Sequence, residues 1–286
     1  MLPAAIKNSL LHEAGLSIKE VHSLTGGCIH QAAHLKTSQG GFFIKWNSLQ
    51  QAHNLAVEAK GLQLLRSTQT FRIPEVILQK NTEQHCFLLL TYIQPGRLDN
   101  NYWTYFGRTL AKLHLHSSPN FGLGYDNYIG ALPQDNSQSS DWISFFRERR
   151  LQPMVEMARK KGLMPSTVSG KFDNLYQNLS SLLPEESPAC IHGDLWGGNI
   201  LCGAEGLPVL IDPSVHYAHR EIELAFMTMF DRIPAQFYEA YEEVFPLKKG
   251  YKERFRLYNL YPLLVHLNLF GAGYLNSIQI SLKHYV

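Results

Sequence analysis

The stretch ACIHGDLWGGNILC, residues 189–202, sets a His, a Gly, an Asp and an Asn between two short apolar runs. Apolar runs this short, bounded by glycines, suit brief buried strands, so Asp194 and Asn199 stand on the connection between strand ends. Thirteen residues beyond Asn199 another apolar run, VLID at 209–212, also ends in a carboxylate, Asp212. This is a set suited to phosphoryl transfer. One carboxylate, Asp194, can orient an attacking hydroxyl, while Asn199 and Asp212 offer hard oxygens to magnesium beside ATP. Such a site requires a nucleotide-binding region elsewhere in the chain.

The first ninety residues supply a candidate. Alternation with β-branched and aromatic residues predicts strands near 21–25, 29–36 and 41–46, with Gly26, Gly27, Gly40 and Gly41 as turn signals. From Ser48 to Arg66 the apolar residues Leu49, Ala52, Leu55, Ala56, Ala59, Leu62 and Leu65 recur at helical spacing. Pro74 opens a further strand near 75–80, and HCFLLLTYI at 85–93 suits a buried one. Gly26 and Gly27 permit close approach of a phosphate. Lys45, ending GFFIK, and Glu58 in the following helix can form the ion pair that aims an ammonium at the α and β phosphates. Thr91, Tyr92 and Ile93 fall where the chain leaves this region, and backbone groups there can meet the adenine edge of ATP. Each residue alone has a plainer account. A Gly pair can be only a hairpin turn, a lone Lys a snorkelling strand end and a lone Glu a solvated helix residue; the G-x-G-x-x-G pattern is absent.

After Pro95-Gly96 the texture becomes helical in WTYFGRTLAKLHLH, WISFFRERRLQPMVEMARKK and KFDNLYQNLSSLL, and again from about Arg220, Ala235 and Lys252. The polar segment LPQDNSQSSD, residues 132–141, reads as a loop, and short strands are expected near 189–192, 198–202 and 208–211. The expected fold class is α+β and bilobal: a small antiparallel-sheet lobe over residues 1–94 for the nucleotide, and a larger, mainly helical lobe over 95–286 for catalysis and acceptor binding.

With HGDLWGGN and IDPSVHYAHREIELAFMTMF in place, and GGCIHQA, FIKWN, FGRTLAKLH and WISFFRERRLQP in support, the chain resembles the fructosamine/ketosamine-3-kinase family of the protein-kinase-like superfamily over nearly its whole length. The resemblance implies ATP-dependent phosphorylation of the sugar 3-hydroxyl of ketosamines, free or on protein lysines, which can initiate loss of the sugar from a glycated amine. It implies that Asp194 handles the hydroxyl proton, that Asn199 and Asp212 hold Mg2+, and that His192 is scaffold. Trp196 is the candidate to pack an indole on the sugar's C–H face. His219 is a further acceptor-site candidate; His216, Tyr217 and Glu221, which lie close by, suit helix capping or packing equally. Gly197 departs from the family, where Ser is frequent, and can alter loop flexibility. The H-x-D-x-x-x-x-N pattern also suits aminoglycoside and choline-type kinases, and a noncatalytic nucleotide-binding pseudokinase is the alternative outside catalysis.

Composition bounds the partners. Of 286 residues 17% are charged, with Lys+Arg 26 against Asp+Glu 24, a balance that implies neither nucleic acid nor an anionic membrane surface as partner. No leader pattern or membrane-length apolar run is seen, so a soluble cytoplasmic chain is expected. Cys28, Cys86, Cys190 and Cys202 include no Cys-x-x-Cys pair and are expected as reduced thiols, with a redox role for Cys28 left open. The basic RERR at 147–150 is expected as a solvated helix face. Oligomeric state is not legible.

Overall fold

A computed structural model describes residues 2–24 and 30–285. The readings of Gly26, Gly27 and Cys28 lie outside the described residues. The chain divides into two compact units, Met1–Tyr102 with Ile200–Pro213, and Trp103–Asn199 with Ser214–Val286.

The first unit opens with a helix, α1 (Ala4–Ala14), which periodicity in the sequence did not single out. Its Ile6 and Leu10, four apart, face inward, and Gly15 ends it in the left-handed conformation, donating its N–H to Leu10 O. Five antiparallel strands follow: β1 (Ile18–Leu24), β2 (Gln31–Thr37), β3 (Gly40–Ser48), β4 (Val76–Asn81) and β5 (His85–Thr91), in the order β1-β2-β3-β5-β4. These match the expected strands, with β1 beginning earlier than its alternation suggested. Leu2, Ile6, Leu10 and Leu16 from around α1 share a core with Ala33, Leu35, Ile44, Trp46, Phe87 and Leu89 of the sheet. The helix α2 (Ala52–Ser67) lies between β3 and β4 in sequence. Its buried residues include Leu55, Glu58, Ala59, Leu62 and Leu65, one stripe at spacings of three and four in which a single acid sits among apolar neighbours. A short hairpin, Ile200–Cys202 with Pro208–Leu210, completes the unit and carries Asp212 just beyond its second strand.

The second unit is mainly helical: α3 (Tyr102–His114), α4 (Trp142–Phe145), α5 (Gln152–Lys160), α6 (Ser166–Leu182), α7 (Glu221–Met227), α8 (Ala235–Val244), α9 (Tyr251–Tyr258), α10 (Leu260–Phe270) and α11 (Leu275–Leu282). The expected single helix over 142–161 is broken by a π-helical turn at Phe146–Leu151. Pro153 has no N–H for the carbonyl of Arg149, and the Arg150 side chain donates to that carbonyl instead, at 3.0 Å.

Two readings are corrected here. The segment 132–141 is not simply a solvated loop: Leu132–Gln134 pairs with Asn127–Ile129, and Gln134 and Asn136 are buried. Their amides are satisfied internally, Gln134 Nε2 and Asn136 Nδ2 donating to Asn127 Oδ1 at 2.7 and 2.9 Å, and Tyr261 OH donating to Gln134 Oε1 at 2.7 Å. The RERR face is likewise not wholly solvated. Arg150 is fully buried, donating to Asn136 Oδ1 and Asp135 O at 2.6 Å each and lying 4.5 Å from the Phe145 ring centre. Without a carboxylate in contact, burial pulls its pKa down to about 10.

Candidate active site

In the first unit the structure brings together three of the expected residues. Lys45 Nζ donates to Glu58 Oε1 at 2.9 Å and to Asp212 Oδ1 at 2.5 Å. Lys45 comes from β3, between the buried Ile44 and Trp46, and Glu58 from the apolar stripe of α2, so both charges are held away from water by the elements that carry them. Burial disfavours the Lys45 ammonium, yet the combined charges of Asp212 and Glu58 outweigh it and hold its pKa above the ordinary lysine value. Burial pushes the Glu58 carboxyl up; Lys45 opposes this and Asp212 adds to it. A single fixed cation thus sits between two carboxylates.

Asp212 differs from Glu58 in exposure and backbone. Its side chain is 42% exposed. Its φ of 56° makes it one of two non-glycine residues in the left-handed region among those described, the other being Gln69. Such a conformation costs of order 1 kcal/mol or more for a side-chain-bearing residue, though Asp tolerates it better than most, and it turns the carboxylate out of the direction the strand would impose. With Oδ1 accepting from Lys45, the second oxygen is the one a hard cation would take.

Of the three residues expected near adenine, two have their N–H groups in use. Thr91 N donates to Glu75 O at 3.0 Å and Tyr92 N to Gly41 O at 3.3 Å. Thr91 therefore cannot offer its N–H to a base. Tyr92 stacks its ring on His34, centroids 3.7 Å apart. Ile93 is buried, and among the described residues no backbone carbonyl of the sheet accepts its N–H.

In the second unit, Asp194 and Asn199 meet on one loop. Asn199 Nδ2 donates to Asp194 O at 2.8 Å and to Asp194 Oδ2 at 3.0 Å. The amide nitrogen is committed to orienting the carboxylate, which leaves the Asn199 carbonyl oxygen for a cation. The loop turns at Gly193, whose φ is 84° and where a Cβ would stand 2.1 Å from Ser214 O, so only glycine fits there. His192 is fully buried; its carbonyl accepts from Ser214 N at 2.9 Å, in keeping with a scaffold role.

The residue that anchors this loop was not singled out in the sequence. Glu223, buried in α7, accepts from the backbone N–H of His192 at 3.2 Å and of Gly193 at 2.7 Å. Its Oε2 also meets His114 Nε2 at 2.9 Å, and His114 Nδ1 meets Tyr241 OH at 2.7 Å. Three side chains, from α3, α7 and α8, and two backbone N–H groups of the loop thus form one connected chain. The signal was present only as an acid in the otherwise apolar ELAF stretch.

The acceptor candidates separate. Trp196 is 38% exposed, its ring edge-on to Phe230 at 5.8 Å, so it remains available to a ligand. His219 is corrected: it is fully buried, between Trp142 and Tyr258 with ring centroids at 5.9 and 5.5 Å, and burial takes its pKa down to about 4. A side chain so enclosed packs the core and does not line an acceptor site. Packing is also the account of His216 and Glu221, the latter in a two-pronged pair with Arg254 at 2.6 and 2.7 Å.

Comparison with known proteins gives a consistent result. The family described as fructosamine kinase matches residues 3–286. A probable ketoamine kinase of Synechocystis is 38% identical over 93% of this chain and 90% of its own length. The chloroplastic protein-ribulosamine 3-kinase of Arabidopsis thaliana is 36% identical, covering 94% of this chain and 83% of that one. The crystal structure of a fructosamine-3-kinase homologue from Haemophilus somnus superposes with a TM-score of 0.88 at 26% identity, over 99% of this chain and 97% of the other.

Proposed function

This chain belongs to the fructosamine kinase family, and from that premise we propose that it is an ATP-dependent kinase of the protein-kinase-like fold that phosphorylates the sugar 3-hydroxyl of ketosamines, carried on small amines or on protein lysines. The observation that carries phosphoryl transfer is the Lys45 ammonium bound between Glu58 and Asp212, a fixed charge where polyphosphate needs one. The acceptor class is supported by the relatives, whose names give ketoamines and protein-bound ribulosamine as substrates.

In this reading residues 1–94 bind the nucleotide and 95–286 the acceptor. Lys45 pairs with the α and β phosphates, Gly26 and Gly27 approach them, and the Ile93 backbone meets adenine, with Thr91 and Tyr92 keeping their N–H groups on Glu75 and Gly41. Asp194, oriented by Asn199, accepts a hydrogen bond from the sugar hydroxyl and takes its proton as the oxygen bonds to the γ-phosphorus and ADP leaves. Trp196 packs on the sugar face. Asn199 and Asp212, with hard oxygens left over from their internal bonds, would hold Mg2+, which supplies positive charge to the phosphates. The chain acts in the cytoplasm as a deglycating enzyme, since a 3-phosphate labilises the sugar from its amine.

Mass spectrometry of products from N-alkyl ribulosamine and fructosamine with ATP tests this. The parent chain should give monophosphates, and Asp194→Asn should lower kcat by about 10²- to 10⁴-fold with ATP binding retained. Transfer to an aminoglycoside or choline in preference to either ketosamine would replace the acceptor class. ATP binding without transfer to any of them would make the protein a regulator.

A further inference from the structure

A ketosamine differs from its parent ketose by an amine at C1, protonated near neutral pH, two carbons from the hydroxyl that reacts. Nothing assigned so far recognises that charge. Resting on the ketosamine reading, we propose that Phe230 and Asp231 form the ammonium subsite of this enzyme, and that they make it select a ketosamine over the uncharged sugar.

The two residues follow α7 and reach the loop that carries Asp194. Asp231 Oδ2 accepts from the backbone N–H of Gly197 at 2.8 Å, one position after Trp196. A Cβ at residue 197 would lie 2.8 Å from that oxygen and 3.0 Å from Oδ1, so a side chain there would push the carboxylate away from the loop. Gly197 and Asp231 therefore belong together. Among the described residues Asp231 makes no ion pair, and it is exposed.

Beside it is an open aromatic corner. Phe230 is 47% exposed and Trp196 38%, their rings edge-on with centroids 5.8 Å apart, and exposed aromatic surface of this kind attracts an alkylammonium. Phe230 is held from behind by Phe226 and His266, centroids at 6.2 and 5.2 Å. His266 is bonded to Pro262 O at 2.7 Å, and burial lowers its pKa, so it places no positive charge against an incoming cation at neutral pH. An exposed phenylalanine beside a solvated carboxylate is poor packing and good cation recognition. With the sugar against Trp196, whose neighbour Gly197 is bonded to Asp231, the proposal places the C1 nitrogen at this corner.

The test is steady-state kinetics of the full chain with N-alkyl ribulosamine and with D-ribulose, for the parent, Phe230→Leu and Asp231→Asn. Leucine keeps the volume without the ring, and Asn keeps an oxygen for Gly197 N–H without the charge. Each variant should raise KM for the ribulosamine by on the order of tenfold, leaving kcat and the KM for ribulose within about twofold, so that the preference narrows. An unchanged ratio of kcat/KM between the two substrates in both variants would overturn the subsite. Parent enzyme that transfers phosphate to neither substrate would instead defeat the functional reading beneath it, and that arm is independent of the variants.

Discussion

The two halves of the candidate site are built on opposite principles. In the first unit, Lys45 is in direct contact with both Glu58 and Asp212, and Lys45 and Glu58 are buried. In the second, Asp194 is held by the neutral Asn199 amide, and the backbone beneath it is fixed by Glu223. The difference follows from the tasks. A polyphosphate needs a permanent cation whose position survives the arrival of several negative charges, whereas a hydroxyl needs a carboxylate held in one place.

The contrast predicts different failures. Lys45→Met leaves Glu58 buried without its counter-ion and should cost about 3–5 kcal/mol of stability by chemical denaturation, together with loss of ATP affinity. Adding Glu58→Leu should restore most of the stability and none of the affinity. Equal instability of the single and double variants would mean that the ion pair does not govern this unit.

Acid should act on the second unit by another route. His216 and His219 are buried and their pKa values are pulled down, that of His219 to about 4, against an ordinary value of 6.5. Between these values the unfolded chain binds protons that the folded chain refuses, so stability is complete above about pH 6.5 and falls as the pH drops towards 4. For His219 alone the loss is about 3 kcal/mol. Urea unfolding at steps from pH 7 to 4.5 should show this slope, and His219→Phe should flatten it.

The smallest effect should come from Glu223→Gln. The amide retains an oxygen for one loop N–H but replaces the other acceptor with a donor, so kcat should fall by roughly tenfold with KM for ATP unchanged. A variant whose kcat is intact would separate the loop from its anchor and leave the second unit without the rigidity argued for it.

Much of the machinery was legible in the residues themselves. Lys45 at the end of an apolar strand and Glu58 inside a helical apolar stripe are each costly to bury alone, so their presence at such positions announces a partner. Asp194, Asn199 and Asp212 were chosen by spacing, and the structure bonds Asn199 to Asp194 and Asp212 to Lys45. His219 misled because a polar residue near a motif looks the same in sequence whether it faces a ligand or the core. Arg150, Gln134 and Asn136 misled for the same reason: a polar stretch is buried when its members satisfy one another, and of the partners that do so Asn127 stands just before the stretch while Tyr261 lies far along the chain.

Local sequence by itself determined the strands of the sheet, most of the helices and the residue types that can transfer a phosphoryl group, because these depend on periodicity and on chemistry that each residue carries with it. Only the tertiary structure decided that Glu223 and His114 hold the Asp194 loop, that Asp231 fills the space Gly197 leaves, and that His219 is enclosed. Those outcomes turn on contacts between residues about 30 to 110 positions apart, and no local pattern encodes which distant groups the folded chain will bring within hydrogen-bonding distance.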